Sequence, residues 1–148
     1  MRILMVCLGN ICRSPLAEGI MRHLVLEQGL NWEIASAGTG NWHVGEAPDA
    51  RSIAIARKYG YDISRQCARH FNHSMFNMYD HILVMDRSNL RDVLALAKTE
   101  GERKKVRLFL EADAEVRDPW YDNALFEPVM LEIEARCRQW IEIFKNQI

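Results

Sequence analysis

The stretch RILMVCLGNICRSP, residues 2–15, constrains the fold of this chain more than any other. Its first part, Arg2 to Val6, is a short run of mainly branched apolar residues, which predicts a buried β-strand. Ser14 is predicted to be the N-cap of the following helix and Pro15 its first residue. A strand, a tight loop and a helix in this order form the unit from which parallel sheets are built.

The same alternation of strand and helix repeats along the chain. Three further strands are predicted, at Trp32–Gly38, His81–Asp86 and Val106–Leu110. Four helices are predicted: from Leu16 to a closing Gly29, from Pro48 to Tyr59, from Ser88 as N-cap through Ala97, and from Phe126 to Phe144. This order predicts an α/β fold in which residues 1–148 form a single three-layer domain, with a mostly parallel four-stranded sheet and helices on both faces.

The composition excludes several classes of protein. With 148 residues, 49% of them apolar, the chain is long enough for one substantial core. The formal net charge of -1 argues against a general nucleic-acid-binding surface, and no stretch resembles a signal peptide or a membrane span. Its cysteines are too few and too unevenly spaced for a secreted disulfide framework. We therefore expect a cytoplasmic protein with reduced thiols and no nucleic-acid or membrane partner.

The loop after the first strand is the predicted binding site, because ligands of parallel sheets bind beyond the carboxyl ends of the strands. Successive backbone N–H groups at a helix N-terminus bind anions, and Arg13 can add a bidentate contact to a phosphate. A cysteine that faces such a loop is stabilised as a thiolate, so Cys7 is a predicted nucleophile. The predicted phosphate-binding loop consists of Leu8, Gly9, Asn10, Ile11, Cys12, Arg13 and Ser14.

Three other interpretations of this loop are weaker. A nucleotide-binding loop needs the pattern G-x-x-x-x-G-K-[ST], which is absent here. A thioredoxin-like redox couple needs cysteines separated by two residues, whereas four residues separate Cys7 from Cys12. Cys7 could also be an inert thiol at the end of a strand, but Arg13 and Ser14 at their spacing favour a reactive one.

Several motifs of the chain resemble those of the low-molecular-weight protein tyrosine phosphatases. VCLGNICRSP resembles the family signature C-x5-R-S, and DPWY, in an irregular acidic loop from Glu111 to Asn123, resembles its general-acid loop. SAGTGNW, ILVMDRSNLRD and the overall length extend the resemblance over nearly the whole chain. The resemblance implies hydrolysis of phosphotyrosine and small aryl phosphates through a phosphocysteine intermediate, without a cofactor or a metal.

The resemblance also implies roles for single residues. Cys7 is expected to be the nucleophile and Arg13 to bind the phosphate. Asp118 is expected to protonate the departing phenolate and then to activate water, although RDPWY alone could be only a turn. Ser14 is expected to hydrogen-bond the thiolate. Cys12 is expected either to fill space or to protect an oxidised Cys7 by forming a disulfide with it.

Other residues are expected to shape the pocket and support its loop. Asn10 and Ser36 are expected to hold the loop in its conformation. Gln66 stands where many members of the family have a histidine that supports Asn10 through a hydrogen-bond network. Because glutamine can both donate and accept, we expect this support to survive with altered strength. The residues expected to line the pocket entrance and walls are Trp42, Trp120 and Tyr121. Deep aromatic walls favour phosphotyrosine over the shorter phosphoserine.

Two alternative functions remain open at this point. An arsenate reductase of the same fold needs further cysteines to carry oxidation away from the nucleophile, and Cys67 is not followed by one at short range. A phosphotyrosine- or anion-binding module needs neither the thiolate nor Asp118. The expected partner is a phosphotyrosine-containing protein, such as a tyrosine kinase, with inorganic phosphate as product. The chain itself is expected to be a monomer.

Overall fold

Four strands form the central sheet of the computed structural model, which describes residues 1–147 and leaves Ile148, the end of the predicted domain, outside. The strands are β1 (Arg2–Cys7), β2 (Glu33–Gly38), β3 (His81–Val84) and β4 (Val106–Leu108). All neighbouring strands pair in parallel, and the order is β2-β1-β3-β4. The predicted four-stranded parallel sheet is confirmed, although the fourth strand does not extend to Leu110.

Helices cover both faces of this sheet, as predicted. Within residues 1–147 they are α1 (Arg13–Glu27), α2 (Ala50–Lys58), α3 (Met75–Met78), α4 (Arg87–Leu94), α5 (Glu100–Lys104) and α6 (Phe126–Lys145). Alternate residues of β1 point to opposite faces. Ile3 and Met5 pack in a core with α1 and α6, whereas Leu4 and Val6 pack in a second core with α3 and α4.

The first helix begins earlier than predicted. Cys12 occupies the N-cap position without a side-chain cap, and Arg13 is the first residue of α1. Ser14 is therefore not the N-cap, and Pro15 is not the first helical residue. The physical reason is that the Ser14 hydroxyl is engaged inside the protein, 3.0 Å from the Cys7 sulfur, and does not cap the helix. The free backbone N–H groups of the α1 N-terminus consequently remain available to a ligand in the preceding loop.

Aspartates cap the next two long helices. Asp49 caps α2, whose predicted first residue was Pro48. Asp86 caps α4 by accepting the backbone N–H of Asn89 at 2.8 Å, so the predicted cap, Ser88, lies inside the first turn. Asp86 has the extended backbone of a residue leaving a strand, which is the conformation that an N-cap requires. A carboxylate there also interacts favourably with the helix dipole.

The strand order places the loop after β1 at a switch point of the sheet. The chain crosses from β1 to β2 on one side and later returns to β3 on the other. The carboxyl ends of adjacent strands then diverge into separate connections and leave a crevice between them. Of the helices described above, none is long and apolar enough to cross a membrane.

Candidate active site

The loop after β1 curves around a small cavity. Cys7 ends β1 and Arg13 begins α1, so the chain must reverse within a few residues. Asn10 adopts the left-handed conformation that this turn requires, with a φ of 57°. Among residues 1–147, the backbone N–H groups of Gly9 and Ile11 meet no protein acceptor. Such N–H groups beside a helix N-terminus form an anion-binding site.

This cavity, of about 220 Å³, brings together most of the residues predicted for the site. Its lining consists of Cys7, Leu8, Gly9, Ile11, Cys12, Arg13, Trp42, His43, Asp118, Trp120 and Tyr121. Asn10, Ser14 and Ser36 are buried outside this lining, and Gln66 does not contribute to it. His43 was not predicted, and the available signal was its position beside Trp42.

The Cys7 sulfur is buried next to two hydrogen-bond donors. The backbone N–H of Asn10 donates to it at 3.3 Å, and the Ser14 hydroxyl lies 3.0 Å away. Because the Ser14 oxygen accepts a hydrogen bond from the Asn10 amide at 2.7 Å, its own proton is free to point at the sulfur. Two donors and the positive end of the α1 dipole therefore surround the Cys7 sulfur.

Asn10 uses its whole side-chain amide to fix the loop. Its Nδ2 donates to Ser36 at 2.9 Å as well as to Ser14, and its Oδ1 accepts the backbone N–H of Arg69 at 2.9 Å. Ser36 in turn donates to the buried Glu18 carboxylate at 2.6 Å. Glu18 was missed because the local sequence does not show that this acid on α1 faces inward.

Gln66 does not support Asn10, and this prediction is wrong. Its Nε2 donates instead to the Pro15 carbonyl in the first turn of α1, at 3.1 Å. Its Oε1 is buried and has no partner within the described part of the chain. The physical reason is that the backbone N–H of Arg69 already binds the Asn10 oxygen, while Ser14 and Ser36 accept from its nitrogen.

Arg13 is held rigidly at the edge of the cavity and is only 3% exposed. Its Nη1 donates to Asp86 at 2.7 Å and to the Val116 carbonyl at 3.0 Å, whereas Nη2 lies 3.8 Å from Asp118. Burial alone would lower the pKa of the guanidinium, but the negative charges of Cys7, Asp86 and Asp118 together raise it. Arg13 therefore carries a fixed positive charge into the cavity.

Asp118 lines the same cavity, in the loop between β4 and α6. Its Oδ2 is the oxygen nearest to Arg13, and its Oδ1 accepts the backbone N–H of Trp120 at 3.1 Å. This contact begins the short 3-10 turn Pro119–Tyr121. The side chain is 36% exposed, so protons can exchange between its carboxyl group and water. A carboxyl group in this place can transfer a proton to a molecule in the cavity.

Aromatic side chains surround the cavity entrance. Trp42, Trp120 and Tyr121 all line it while keeping large exposed surfaces. The His43 ring lies 6.4 Å from the Trp120 ring, centroid to centroid. A Cβ on Gly40 would lie 2.0 Å from the Trp42 ring, so the position of that ring depends on the glycine. These flat apolar surfaces are suited to packing against another aromatic ring.

The second thiol of the loop, Cys12, differs from the first. Burial, followed by the negative charges of Asp49 and Cys7, raises the pKa of Cys12 to about 12. Cys12 is therefore a neutral thiol at neutral pH. The remaining cysteines lie outside the cavity, since Cys67 is exposed elsewhere and Cys137 is buried in the core.

Comparisons with known proteins agree on one family. A family model described as low molecular weight phosphotyrosine protein phosphatase matches residues 2–148. The chain is 38% identical over 148 residues to the low molecular weight phosphotyrosine protein phosphatase of Sus scrofa, covering 95% of this chain and 93% of the relative. It is 43% identical over 131 residues to the corresponding protein of Schizosaccharomyces pombe, covering 83% of each. A crystal structure of a low molecular weight phosphotyrosine phosphatase from Vibrio cholerae O395 superposes with a TM-score of 0.91 and 31% identity, covering 99% of this chain and 98% of the other.

Proposed function

The chain belongs to the low molecular weight phosphotyrosine protein phosphatase family, and on this basis we propose that it hydrolyses phosphotyrosine through a phosphocysteine on Cys7. One geometric observation carries this assignment of roles. The Cys7 sulfur, the Arg13 guanidinium and the Asp118 carboxylate face a single cavity at a helix N-terminus. A nucleophile, a cation for the phosphate and a proton donor are the groups that this reaction needs.

In the first step, the Cys7 thiolate attacks phosphorus in line with the phenolic oxygen. The S–P bond forms, the P–O bond to the aromatic ring breaks, and its electron pair remains on the phenolic oxygen. Asp118 gives its proton to that oxygen, so tyrosine leaves as a neutral phenol. Loop N–H groups and Arg13 hold the three remaining phosphate oxygens during the transfer.

In the second step, water attacks the phosphorus of the phosphocysteine. The Asp118 carboxylate, which lost its proton in the first step, now takes one from the water. The S–P bond breaks, inorganic phosphate forms, and the sulfur of Cys7 leaves as a thiolate that accepts the Ser14 hydrogen bond. Both Cys7 and Asp118 are then in the state in which the cycle began.

Support for the proposed substrate class comes from the cavity walls. A phosphotyrosine ring would pack against Trp42, Trp120 and Tyr121, and a phosphoserine side chain would reach none of these surfaces to the same extent. Proteins that carry phosphotyrosine, such as a tyrosine kinase or its tyrosine-rich tail, are the proposed partners by analogy with the family. We propose a cytoplasmic location, because a nucleophilic thiol works in a reducing compartment. We also propose that the chain acts as a monomer.

Hydrolysis of 4-nitrophenyl phosphate and of a phosphotyrosine peptide in the presence of EDTA tests the proposal. We expect turnover that vanadate inhibits and that Cys7→Ser lowers by at least about a thousandfold, because the nucleophile is lost. Cys67→Ser removes an exposed cysteine that does not line the cavity and is the matched control, with the activity of the wild type expected. Binding of phosphate without any turnover between about pH 5 and 7.5 would instead identify a binding module.

A further inference from the structure

Arg51, in the first turn of α2, contacts the loop that carries Asp118. Its Nη1 donates to the Trp120 carbonyl at 3.1 Å and to the Asn123 side-chain oxygen at 2.7 Å. The guanidinium also lies over the Trp120 ring, 5.1 Å from its centroid, and over the Phe126 ring, at 4.5 Å. One side chain therefore binds both the backbone and the aromatic surface of the loop that carries Asp118, residues 117–125, here called the acid loop.

The rest of the Arg51 guanidinium is fixed by Asp49. Nε and Nη2 donate to the two carboxylate oxygens of Asp49 at 3.0 and 2.9 Å, in the bidentate geometry that only arginine provides. The hydrogen bond from Arg51 holds the pKa of Asp49 below its ordinary value, so the pair stays charged in mildly acidic solution. Arg51 is thus oriented before it reaches the acid loop.

Asp49 also contacts the phosphate-binding loop, which follows Cys7. Its backbone N–H donates to the Ile11 carbonyl at 2.8 Å, and Ser52 in the same turn lies 3.5 Å from the Cys12 carbonyl. Asp49 and Arg51 therefore connect the loop that carries Cys7 to the loop that carries Asp118. This connection does not pass through the cavity itself, since neither residue lines it.

The acid loop has few other attachments. In the structure of residues 1–147, the side-chain hydrogen bonds that segment 117–125 receives from outside itself come from Arg51. Other polar contacts from outside include the Phe126 backbone N–H, which donates to the Asn123 carbonyl at the start of α6, and the Arg13–Asp118 ion pair at 3.8 Å. The Asp118 carboxylate accepts the backbone N–H of Trp120 at 3.1 Å. The peptide unit that follows, the Trp120 carbonyl, is the group that Arg51 holds. If this carbonyl shifted, Trp120 and its backbone N–H would shift with it, and the Asp118 carboxylate bound to that N–H would change its orientation.

We propose that Arg51, oriented by Asp49, is the positioning residue that aims the Asp118 carboxyl group at the leaving-group oxygen. This inference rests on the proposed function, because it assigns Asp118 as the proton donor. Arg51 itself touches no reacting atom. Its loss affects the rate only as far as protonation of the leaving group contributes, and a misplacement of about 1 Å can cost up to a hundredfold. An ordinary exposed ion pair would affect stability slightly and all substrates equally.

The dependence of kcat/KM on the leaving group tests this inference. 4-Nitrophenolate leaves readily without a proton, whereas phenolate needs one, so phenyl phosphate reports on Asp118 and 4-nitrophenyl phosphate serves as the reference. We expect Arg51→Ala to lower kcat/KM for phenyl phosphate about tenfold more than for 4-nitrophenyl phosphate. Arg51→Lys should recover little of this loss, because an ammonium group cannot bind Asp49 and Trp120 in the same way.

A double-mutant cycle separates positioning from general damage to the fold. In an Asp118→Asn background, Arg51→Ala should cost less than about twofold in kcat/KM, since the group that it positions is already absent. Lys58→Ala is the matched control, because it removes another cation of α2. Lys58 pairs with Glu127 at a distance of 2.7 Å, and neither residue lines the cavity. The substitution should leave kcat/KM unchanged for both substrates.

Two results would overturn the inference. One is an equal loss of kcat/KM on both substrates in Arg51→Ala, and the other is the same fold loss in the wild-type and Asp118→Asn backgrounds. In either case wild-type turnover, and with it the proposed function, would be unaffected. Absence of turnover by the wild type would instead refute the proposed function, so the two failures are distinguishable.

Discussion

At the scale of single residues, the two thiols of the loop after β1 have different surroundings. The Cys7 sulfur has the Asn10 N–H and the Ser14 hydroxyl as neighbours. Burial and the nearby charges of Asp49 and Cys7 raise the pKa of Cys12 to about 12. Cys12 therefore remains a neutral thiol at neutral pH beside Cys7, the proposed nucleophile. A neutral thiol is not a competing nucleophile, but the small fraction of Cys12 that is a thiolate can react with an oxidised neighbour.

We expect hydrogen peroxide to produce a reversible Cys7–Cys12 disulfide. Peroxide oxidises Cys7 to a sulfenic acid, the Cys12 sulfur attacks that sulfur, and water leaves. The attacking species is the thiolate, so with a pKa of about 12 the rate of disulfide formation should rise roughly tenfold per pH unit between about pH 7 and 9. Rapid quenching with a thiol-blocking reagent followed by mass spectrometry measures this rate.

Recovery with dithiothreitol provides the second measurement. Oxidised wild type should regain activity, whereas Cys12→Ser should be inactivated irreversibly, since its Cys7 proceeds to sulfinic acid. Cys67→Ser keeps both loop cysteines and should behave as the wild type. If no disulfide forms at any pH in this range, Cys12 is a small residue that fills space in the loop.

At the scale of elements, the long periodic segments were predictable and their ends were not. The strand β1 and the helices α1 and α6 have apolar patterns that local sequence reveals. The N-cap at Asp86 depends on the chain direction at the end of a strand and the short helix α3 on tertiary packing, so the apolar pattern does not reveal them. The short helix α5 buries no residue and so has no apolar period, and its one local signal is the capping box of Thr99 and Glu102.

The same distinction applies to the candidate site. Cys7 and Arg13 were found because they belong to one continuous loop, and Asp118 because a local motif surrounds it. Glu18 and Arg51 reach the site through contacts with residues far away in the chain, at Ser36 and Trp120. No local spacing reports such contacts. The Gln66 prediction failed for this reason, because its side chain meets α1 before it could reach the loop asparagine.

Gly38, the last residue of β2, should be essential for the shape of the phosphate-binding loop. A Cβ at this position would lie 2.8 Å from the Leu8 carbonyl oxygen and 3.1 Å from the Asn10 nitrogen. These are backbone atoms of the phosphate-binding loop, which cannot move aside without disturbing Cys7. We expect Gly38→Ala to lower kcat/KM for 4-nitrophenyl phosphate at least about tenfold.

Gly101→Ala is the control for this glycine substitution. Gly101 lies in α5, and its added Cβ would meet only the Thr99 hydroxyl, at 3.8 Å. Alanine there should leave activity unchanged and stabilise the protein by up to about 0.5–1 kcal/mol, because glycine disfavours helix. Full activity in Gly38→Ala would mean that the loop tolerates displacement, contrary to the tight packing described above.

At the scale of the whole molecule, every strand of the sheet contributes to one edge. Cys7 ends β1, Trp42 follows β2, Asp86 follows β3 and Asp118 follows β4. Because all four strands are parallel, their carboxyl ends lie at the same edge, and the site needs no further layer of structure.

His81, the first residue of β3, lies at the opposite edge of the sheet and should limit stability in acid. Its ring stacks on Phe144 with a centroid distance of 4.3 Å. Burial, together with the positive charges of Arg107 and Lys105, lowers the pKa of His81, while Asp80 opposes this shift. The folded protein therefore resists protonation of His81 at a pH where the unfolded chain already accepts a proton.

The sign of the effect follows from this difference in proton binding. Above the unfolded pKa, about 6.5, both states are neutral at His81 and the residue has no pH-dependent effect on stability. As the pH falls below that value, the unfolded state takes up a proton first, so the free energy of unfolding decreases. His81→Phe keeps an aromatic ring on Phe144 but cannot be protonated. Urea unfolding at about pH 7.5 and 5.5 should therefore show a smaller loss of stability in His81→Phe than in the wild type, and an equal loss in both would assign the acid sensitivity to other groups.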